Sequence, residues 1–79
     1  MDKIIDKIKN GKTLTISCSF YEEMFYFRNG KFMSTFDNGL ICEARERSES
    51  TVRSAISRAQ HDPDGYDMVF EGEDEEMVG

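Results

Sequence analysis

The chain contains few of the residues that build reactive or cross-linked sites. Its 79 residues include no Trp, one His, one Pro and two Cys. The two thiols, Cys18 and Cys42, do not make a disulfide framework and fit no zinc-ligand spacing. No stretch approaches the roughly 20 apolar residues that cross a membrane, and no signal peptide is visible at the N-terminus. We therefore expect a protein of the reducing cytoplasm that has no membrane contact.

Few residues are suited to catalysis or to metal binding. His61 is the single candidate base, but both cysteines fall on predicted strands, and Cys18 shares the apolar face of its strand. The turn over 62–65 resembles part of a calcium loop, but Pro63 and the missing closing Glu break that pattern. We predict that the protein is not an enzyme and binds no metal or cofactor.

Positive charge is missing from the C-terminal quarter of the chain. Residues 1–60 hold ten Lys and Arg against eight acidic residues, a net charge of +2. Residues 61–79 hold eight acidic residues and no Lys or Arg, a net charge of −8, which brings the chain to −6. An acidic block repels nucleic acid and attracts basic surfaces. We predict no direct binding to nucleic acid and a protein partner with a basic surface; the alternative is a solubilising tail.

Hydrophobic periodicity predicts one α+β domain over 1–79, with an antiparallel sheet of three to five strands and one main helix packed on it. Leu14, Ile16, Cys18 and Phe20 alternate with polar residues, as on a half-buried strand. Asn29-Gly30 between two aromatic-rich runs is a hairpin signal. The predicted elements are a helix over 2–9 with Asp2 as N-cap, strands over 12–20, 23–28, 31–36 and 40–46, a helix over 49–60 with Ser48 as N-cap, and a strand over 66–70, for which a helix over 66–77 is the alternative.

Aromatic residues are concentrated on the two central predicted strands. They would suit a base-stacking platform, but in a chain with few aliphatic residues we expect them to form the core. The residues in question are Phe25, Tyr26, Phe27, Phe32 and Phe36.

The order of several short motifs resembles a known family. IIDKIKNGK leads into TLTISCS, and a turn of Asp, Asn and Gly precedes a strand with Glu residues. SESTVRSAISRA and GYDMVFEGEDEE follow. This order is similar to that of the small acidic phage anti-CRISPR proteins that inhibit the RNA-guided nuclease of type II-A systems. The resemblance covers roughly residues 36–76 and the first 19.

The resemblance implies an α+β inhibitor that occupies the DNA-entry and PAM-reading surface of a CRISPR effector, where Arg side chains read guanine edges. It would act in the cytoplasm of the bacterial host. An acidic regulatory or antitoxin-like protein that masks a basic partner is the alternative. By motif match, the resemblance places contacts at Asp37 and Glu43 and at Asp74 and Glu75. With the rest of the acidic stretch, the predicted partner-binding residues are Asp37, Glu43, Asp67, Glu71, Glu73, Asp74, Glu75 and Glu76.

Two departures from the family pattern remain. The extra hairpin means that Arg28-Asn29-Gly30, rather than Asp37-Asn38-Gly39, could match the family's turn. The family's second C-terminal helix is not evident in this sequence.

Overall fold

The fold consists of two helices and a five-stranded antiparallel sheet. A computed structural model describes residues 1–71. The elements are α1 (Asp2–Lys9), β1 (Leu14–Ser17), β2 (Glu22–Arg28), β3 (Lys31–Asp37), β4 (Cys42–Arg47), α2 (Glu49–His61) and β5 (Asp67–Phe70).

The sheet has the order β4-β3-β2-β1-β5. Strands β1 to β4 form the predicted meander, and α2 carries the chain across the sheet so that β5 pairs antiparallel with β1. Asn29 and Gly30 form the β2–β3 turn with φ angles of 56° and 77°. Both values lie in the left-handed region that a two-residue hairpin turn requires. The predicted α+β class is therefore confirmed, with β5 a strand rather than a helix.

Both helices cover the same face of the sheet. One apolar cluster joins α1 and α2 to the inward-facing residues of β1, β2 and β3. Ser48 caps α2 as predicted, since its Oγ accepts a hydrogen bond of 3.2 Å from the Thr51 N–H. The buried apolar residues are Ile5, Ile8, Leu14, Ile16, Phe25, Phe32, Val52, Ile56 and Ala59.

The predicted first strand is too long. β1 ends at Ser17, because the chain reverses through a turn in which the Cys18 N–H donates to the Tyr21 carbonyl at 2.9 Å. Phe20 is consequently 83% exposed rather than buried, and Cys18 is half-buried rather than part of the core. Alternation alone does not show where a strand must give way to a turn.

Two further boundaries differ from the prediction. Asp2 is the first residue of α1 and not its cap, so its carboxylate is free to accept a hydrogen bond of 2.9 Å from Arg53. β4 begins at Cys42 rather than at residue 40. The reason is that the Asn38 side chain accepts from the backbone N–H groups of Leu40 and Ile41 and holds them in a turn.

Candidate protein-interaction surface

The antiparallel order brings five strand termini to one end of the sheet. β1 and β3 finish there, and β2, β4 and β5 begin there. We call this region the acidic end. It comprises the terminal residues Ser17, Glu22, Asp37, Cys42 and Asp67 and the connecting segments 18–21, 38–41 and 62–66.

Three carboxylates lie in one row across the acidic end. Asp37 pairs directly with Glu22, Glu22 with Ser17, and Ser17 with Asp67. Neighbouring strands are about 4.8 Å apart, so Asp67 lies roughly 10 Å beyond Glu22. By the alternation of side chains, all three point to the face that the helices leave open.

These carboxylates have no cationic partner within residues 1–71. None of the ion pairs there includes Glu22, Asp37 or Asp67. The segments 13–27 and 32–44 also contain no Lys or Arg. Like charges directly opposite each other on paired strands are destabilising. The Glu22–Asp37 pair therefore costs stability and offers negative charge to the surroundings.

Asp37 and Glu43 occupy different environments. The Asp37 carboxylate accepts a hydrogen bond of 2.9 Å from the Gly39 N–H, which orders the turn. Glu43 lies on the helix side of β4, where its carboxylate is 3.1 Å from Arg45. Of this predicted pair, only Asp37 belongs to the row of unpaired carboxylates.

Glu71 lies at the opposite end of the sheet from Asp37. Its N–H donates to the Thr13 carbonyl at 2.9 Å, next to the start of β1. The structure thus separates two groups of predicted contact residues by the length of β5, with Asp67 at one end and Glu71 at the other. Glu73, Asp74, Glu75 and Glu76 lie outside the described residues.

Sequence reasoning did not select Glu22 or the apolar loop residues as site residues. Glu22 is adjacent to Glu23 in the sequence, and the charge pattern does not distinguish the two. Strand alternation sends Glu23 to the helix side, where it is 3.2 Å from Arg47, and leaves Glu22 on the open face. The lack of Lys and Arg over 13–27 was the available signal.

Tyr21 packs against the acidic end on the face of the sheet that the helices cover. Its ring centroid is 5.2 Å from that of Phe36, and its hydroxyl is hydrogen-bonded to Tyr66. Burial, followed by that hydrogen bond, raises the pKa of Tyr21 to about 12. The contacts tie the β1–β2 loop to β3 and to the segment before β5.

A second concave region has a structural role. A groove of about 300 Å³ between α2 and the sheet contains Arg47, which donates to Ser34 at 2.9 Å and to Glu23 at 3.2 Å. Ser34 is completely buried, and the Glu23 side chain is 14% exposed. Because these polar groups satisfy one another, the groove presents no free reactive group from this network.

The described residues contain no other assembled site. His61 Nδ1 donates to the Ser57 carbonyl at 2.7 Å at the end of α2. Among residues 1–71 no group of three or more His, Cys, Asp or Glu side chains is placed to hold a metal ion. Over the same residues no helix has the length and apolar character needed to span a membrane.

Comparisons with known proteins find no similarity that would assign this chain: no protein family, no curated protein and no solved structure matches it.

Proposed function

We propose that this protein is a phage-encoded anti-CRISPR inhibitor that binds a CRISPR effector stoichiometrically and blocks target DNA recognition by acidic mimicry. It acts without catalysis in the cytoplasm of the bacterial host. The observation that carries the proposal is the row formed by Glu22, Asp37 and Asp67. These carboxylates lie on a rigid sheet, form no ion pair within residues 1–71, and match the sign of the phosphates that the effector's Arg and Lys side chains hold.

The rigid frame supports the proposal because it lowers the cost of binding. Carboxylates fixed by strand pairing lose little conformational freedom when they meet Arg side chains. Asp37 also belongs to the turn that carries the family resemblance, and its carboxylate is held in place by the hydrogen bond from the Gly39 N–H. Binding of this kind weakens with salt, since exposed charges are screened over about 10 Å at 0.1 M ionic strength.

A cleavage assay with a purified type II-A effector nuclease and its guide RNA tests the proposal. Wild type should inhibit when it is added before target DNA and should fail once the DNA is bound. The double variant Glu22→Lys with Asp37→Lys should lose inhibition, and full inhibition by this variant would make the proposal wrong. The matched control is Asp6→Lys with Glu46→Lys, which changes net charge equally at exposed positions away from the acidic end and should still inhibit.

A third variant decides where the contact lies. Asp74→Lys with Glu75→Lys reverses the charge of the C-terminal acidic run. If this variant loses inhibition while the Glu22 and Asp37 variant keeps it, the contact belongs to the C-terminal run and not to the acidic end.

The antitoxin-like alternative is favoured by one observation, the large exposed apolar side chains at the acidic end, because charge mimicry alone does not need them. Such a protein has a dedicated basic partner. Co-expression with the product of a neighbouring gene, followed by isolation of a one-to-one complex that inhibits no CRISPR effector, would establish it.

A further inference from the structure

The acidic end also carries the most exposed large apolar side chains of the described chain. Phe20 is 83% exposed, Leu40 93% and Ile41 55%. Single exposed apolar residues are ordinary on protein surfaces. Three of them on two loops that leave directly paired strands make a local apolar patch, which is the usual mark of an interaction site. We call these three residues the apolar tips.

The loop that holds Leu40 and Ile41 is ordered by its own hydrogen bonds. Asn38 Oδ1 accepts from the Leu40 N–H at 2.9 Å and from the Ile41 N–H at 2.8 Å. The Asn38 N–H donates to the Ile41 carbonyl at 3.2 Å. The apolar side chains are therefore displayed on a preformed turn, and binding does not have to order it.

The loop that holds Phe20 is fixed from beneath. The neighbouring Tyr21 packs on Phe36 and bonds to Tyr66 on the helix side, whereas Phe20 is directed to solvent. The Phe20 loop ends at Glu22 and the other loop begins after Asp37, and these two residues are directly paired, so the loops lie at neighbouring positions of the same sheet end. Tips and carboxylates consequently lie at the same end of the sheet.

We propose that the apolar tips are anchors that insert into an apolar pocket of a protein partner, and that Arg or Lys side chains of that partner surround the pocket. The proposed function supplies one part of this inference, the basic surface of the partner. The apolar pocket of the partner is the part that is new. Buried aromatic and aliphatic anchors dominate the energy of most protein interfaces, while surrounding charges set orientation and specificity.

The charges beside the tips favour such a partner over the other possible occupants. Nucleic acid and anionic membrane surfaces would be repelled by Glu22, Asp37 and Asp67. A second copy bound symmetrically through the same surface would bring the two carboxylate rows together, which is unfavourable. A basic protein surface with an apolar depression satisfies both the charges and the tips.

Two short synthetic peptides of equal positive charge provide the test. In one, Arg and Lys flank Leu and Trp; in the other, Ser replaces the two apolar residues. Binding to the full-length protein is followed by amide chemical-shift titration. We expect the apolar peptide to bind about tenfold more tightly, as for partial burial of one or two large side chains, with shifts at residues 18–21 and 38–41.

Variants separate the apolar contribution to peptide binding from the electrostatic contribution. Phe20→Ser with Leu40→Ser should remove the preference for the apolar peptide and leave the Ser peptide unaffected. Val69→Ser, at an exposed apolar residue in the middle of β5, is the matched control and should keep the preference. Glu22→Gln with Asp37→Asn should weaken both peptides equally.

Other outcomes contradict the inference. Equal binding of the two peptides would remove the anchor role while leaving the acidic surface, and hence the proposed function, intact. Binding of neither peptide would exclude this surface as a docking site. Association through the tips with a second copy in sedimentation, or with neutral phosphatidylcholine vesicles, would assign a different occupant. If the peptides behave as expected but no CRISPR effector is inhibited, the proposed function fails and the inference about the tips stands.

Discussion

The two ends of the sheet differ in whether their charged side chains have partners in the fold. At the end opposite the acidic end, cations have partners in the fold: Lys31 is 3.5 Å from Glu46, and Lys9 is 3.6 Å from Glu49. Lys9 also lies 5.8 Å from the centre of the Phe32 ring, and Arg28 lies 5.3 Å from that of Tyr26. We call this the basic end, and its ion pairs stabilise the fold. Within residues 1–71, Glu22, Asp37 and Asp67 at the acidic end form no ion pair.

The difference supports the proposal that the acidic end contacts another molecule. Residues selected for folding satisfy one another, because unpaired or like charges cost free energy. The acidic end places two carboxylates on directly paired positions and exposes Phe20 and Leu40 beside them. A surface that is unfavourable in the isolated protein becomes favourable when a basic, apolar partner covers it.

The largest expected effect comes from Arg47, a side chain that spans much of the distance between the two ends. Arg47 begins near the basic end and reaches Glu23 near the acidic end, passing Ser34. Arg47→Ala leaves a partly buried carboxylate and a buried hydroxyl without their partner, and we expect it to lower the free energy of unfolding by about 2–4 kcal/mol. Urea denaturation measures this.

The control for that experiment is Arg45→Ala on the same strand. Its ion pair with Glu43 is exposed, so the loss should stay below about 1 kcal/mol. Equal losses in the two variants would show that the Arg47 network does not hold the ends together.

A smaller effect compares the asparagine turns, one at each end. Asn29 has a φ of 56°, so Asn29→Ala should cost about 1–2 kcal/mol of stability and Asn29→Gly much less. Asn38→Ala removes the acceptor that orders Leu40 and Ile41 and should cost about 1 kcal/mol. Only the Asn38 variant should also weaken binding of the apolar peptide in the titration described above. Weakened binding in the Asn29 variants would contradict the assignment of the two ends.

Neutralising the acidic end should raise stability while lowering binding. Glu22→Gln with Asp37→Asn removes a like-charge pair and should add about 0.2–1 kcal/mol to the free energy of unfolding. At the basic end, Glu46→Gln removes an exposed ion pair and should lower that free energy by less than about 1 kcal/mol. Thermal unfolding at low salt measures the change in stability of both variants. A loss of stability in the Glu22→Gln with Asp37→Asn variant would contradict the proposed difference between the two ends.

The smallest effect is spectroscopic and concerns Tyr21, which packs against the acidic end from the helix-covered face of the sheet. The pKa of Tyr21 is about 12, above the ordinary value of 10.0, so the folded protein keeps a proton that the unfolded chain releases. This stabilising contribution is complete below pH 10 and is lost as pH rises towards 12. Absorbance titration of the phenolate should show a late-titrating component in wild type that is lost in Tyr21→Phe. Identical titration curves would show that Tyr21 is not held in this way.

Much of the fold was predictable because it depends on local sequence. The alternation over 14–17, the Asn29-Gly30 turn and the 3.6-residue period after Ser48 each act within one element. Expectations failed where a turn replaced a strand, at Phe20 and at residues 40 and 41. Whether an apolar residue continues a strand depends on where the neighbouring strand begins, which is a non-local property.

The candidate site was less predictable than the fold. The charge count predicts a binding site in the C-terminal acidic run. Glu71, the last residue of that run that the structure describes, lies at the basic end. The unpaired row instead combines Glu22, Asp37 and Asp67, which are far apart in the sequence. Only the strand order makes them neighbours.

The sequence by itself determined the secondary elements, the α+β class and the excess of negative charge, since composition and periodicity are properties of consecutive residues. The tertiary structure alone decided which carboxylates stand together, which of them have partners, and that Phe20 and Leu40 are displayed beside them. These features depend on strand register and on which face the helices cover, and both are fixed by packing between residues distant in the chain.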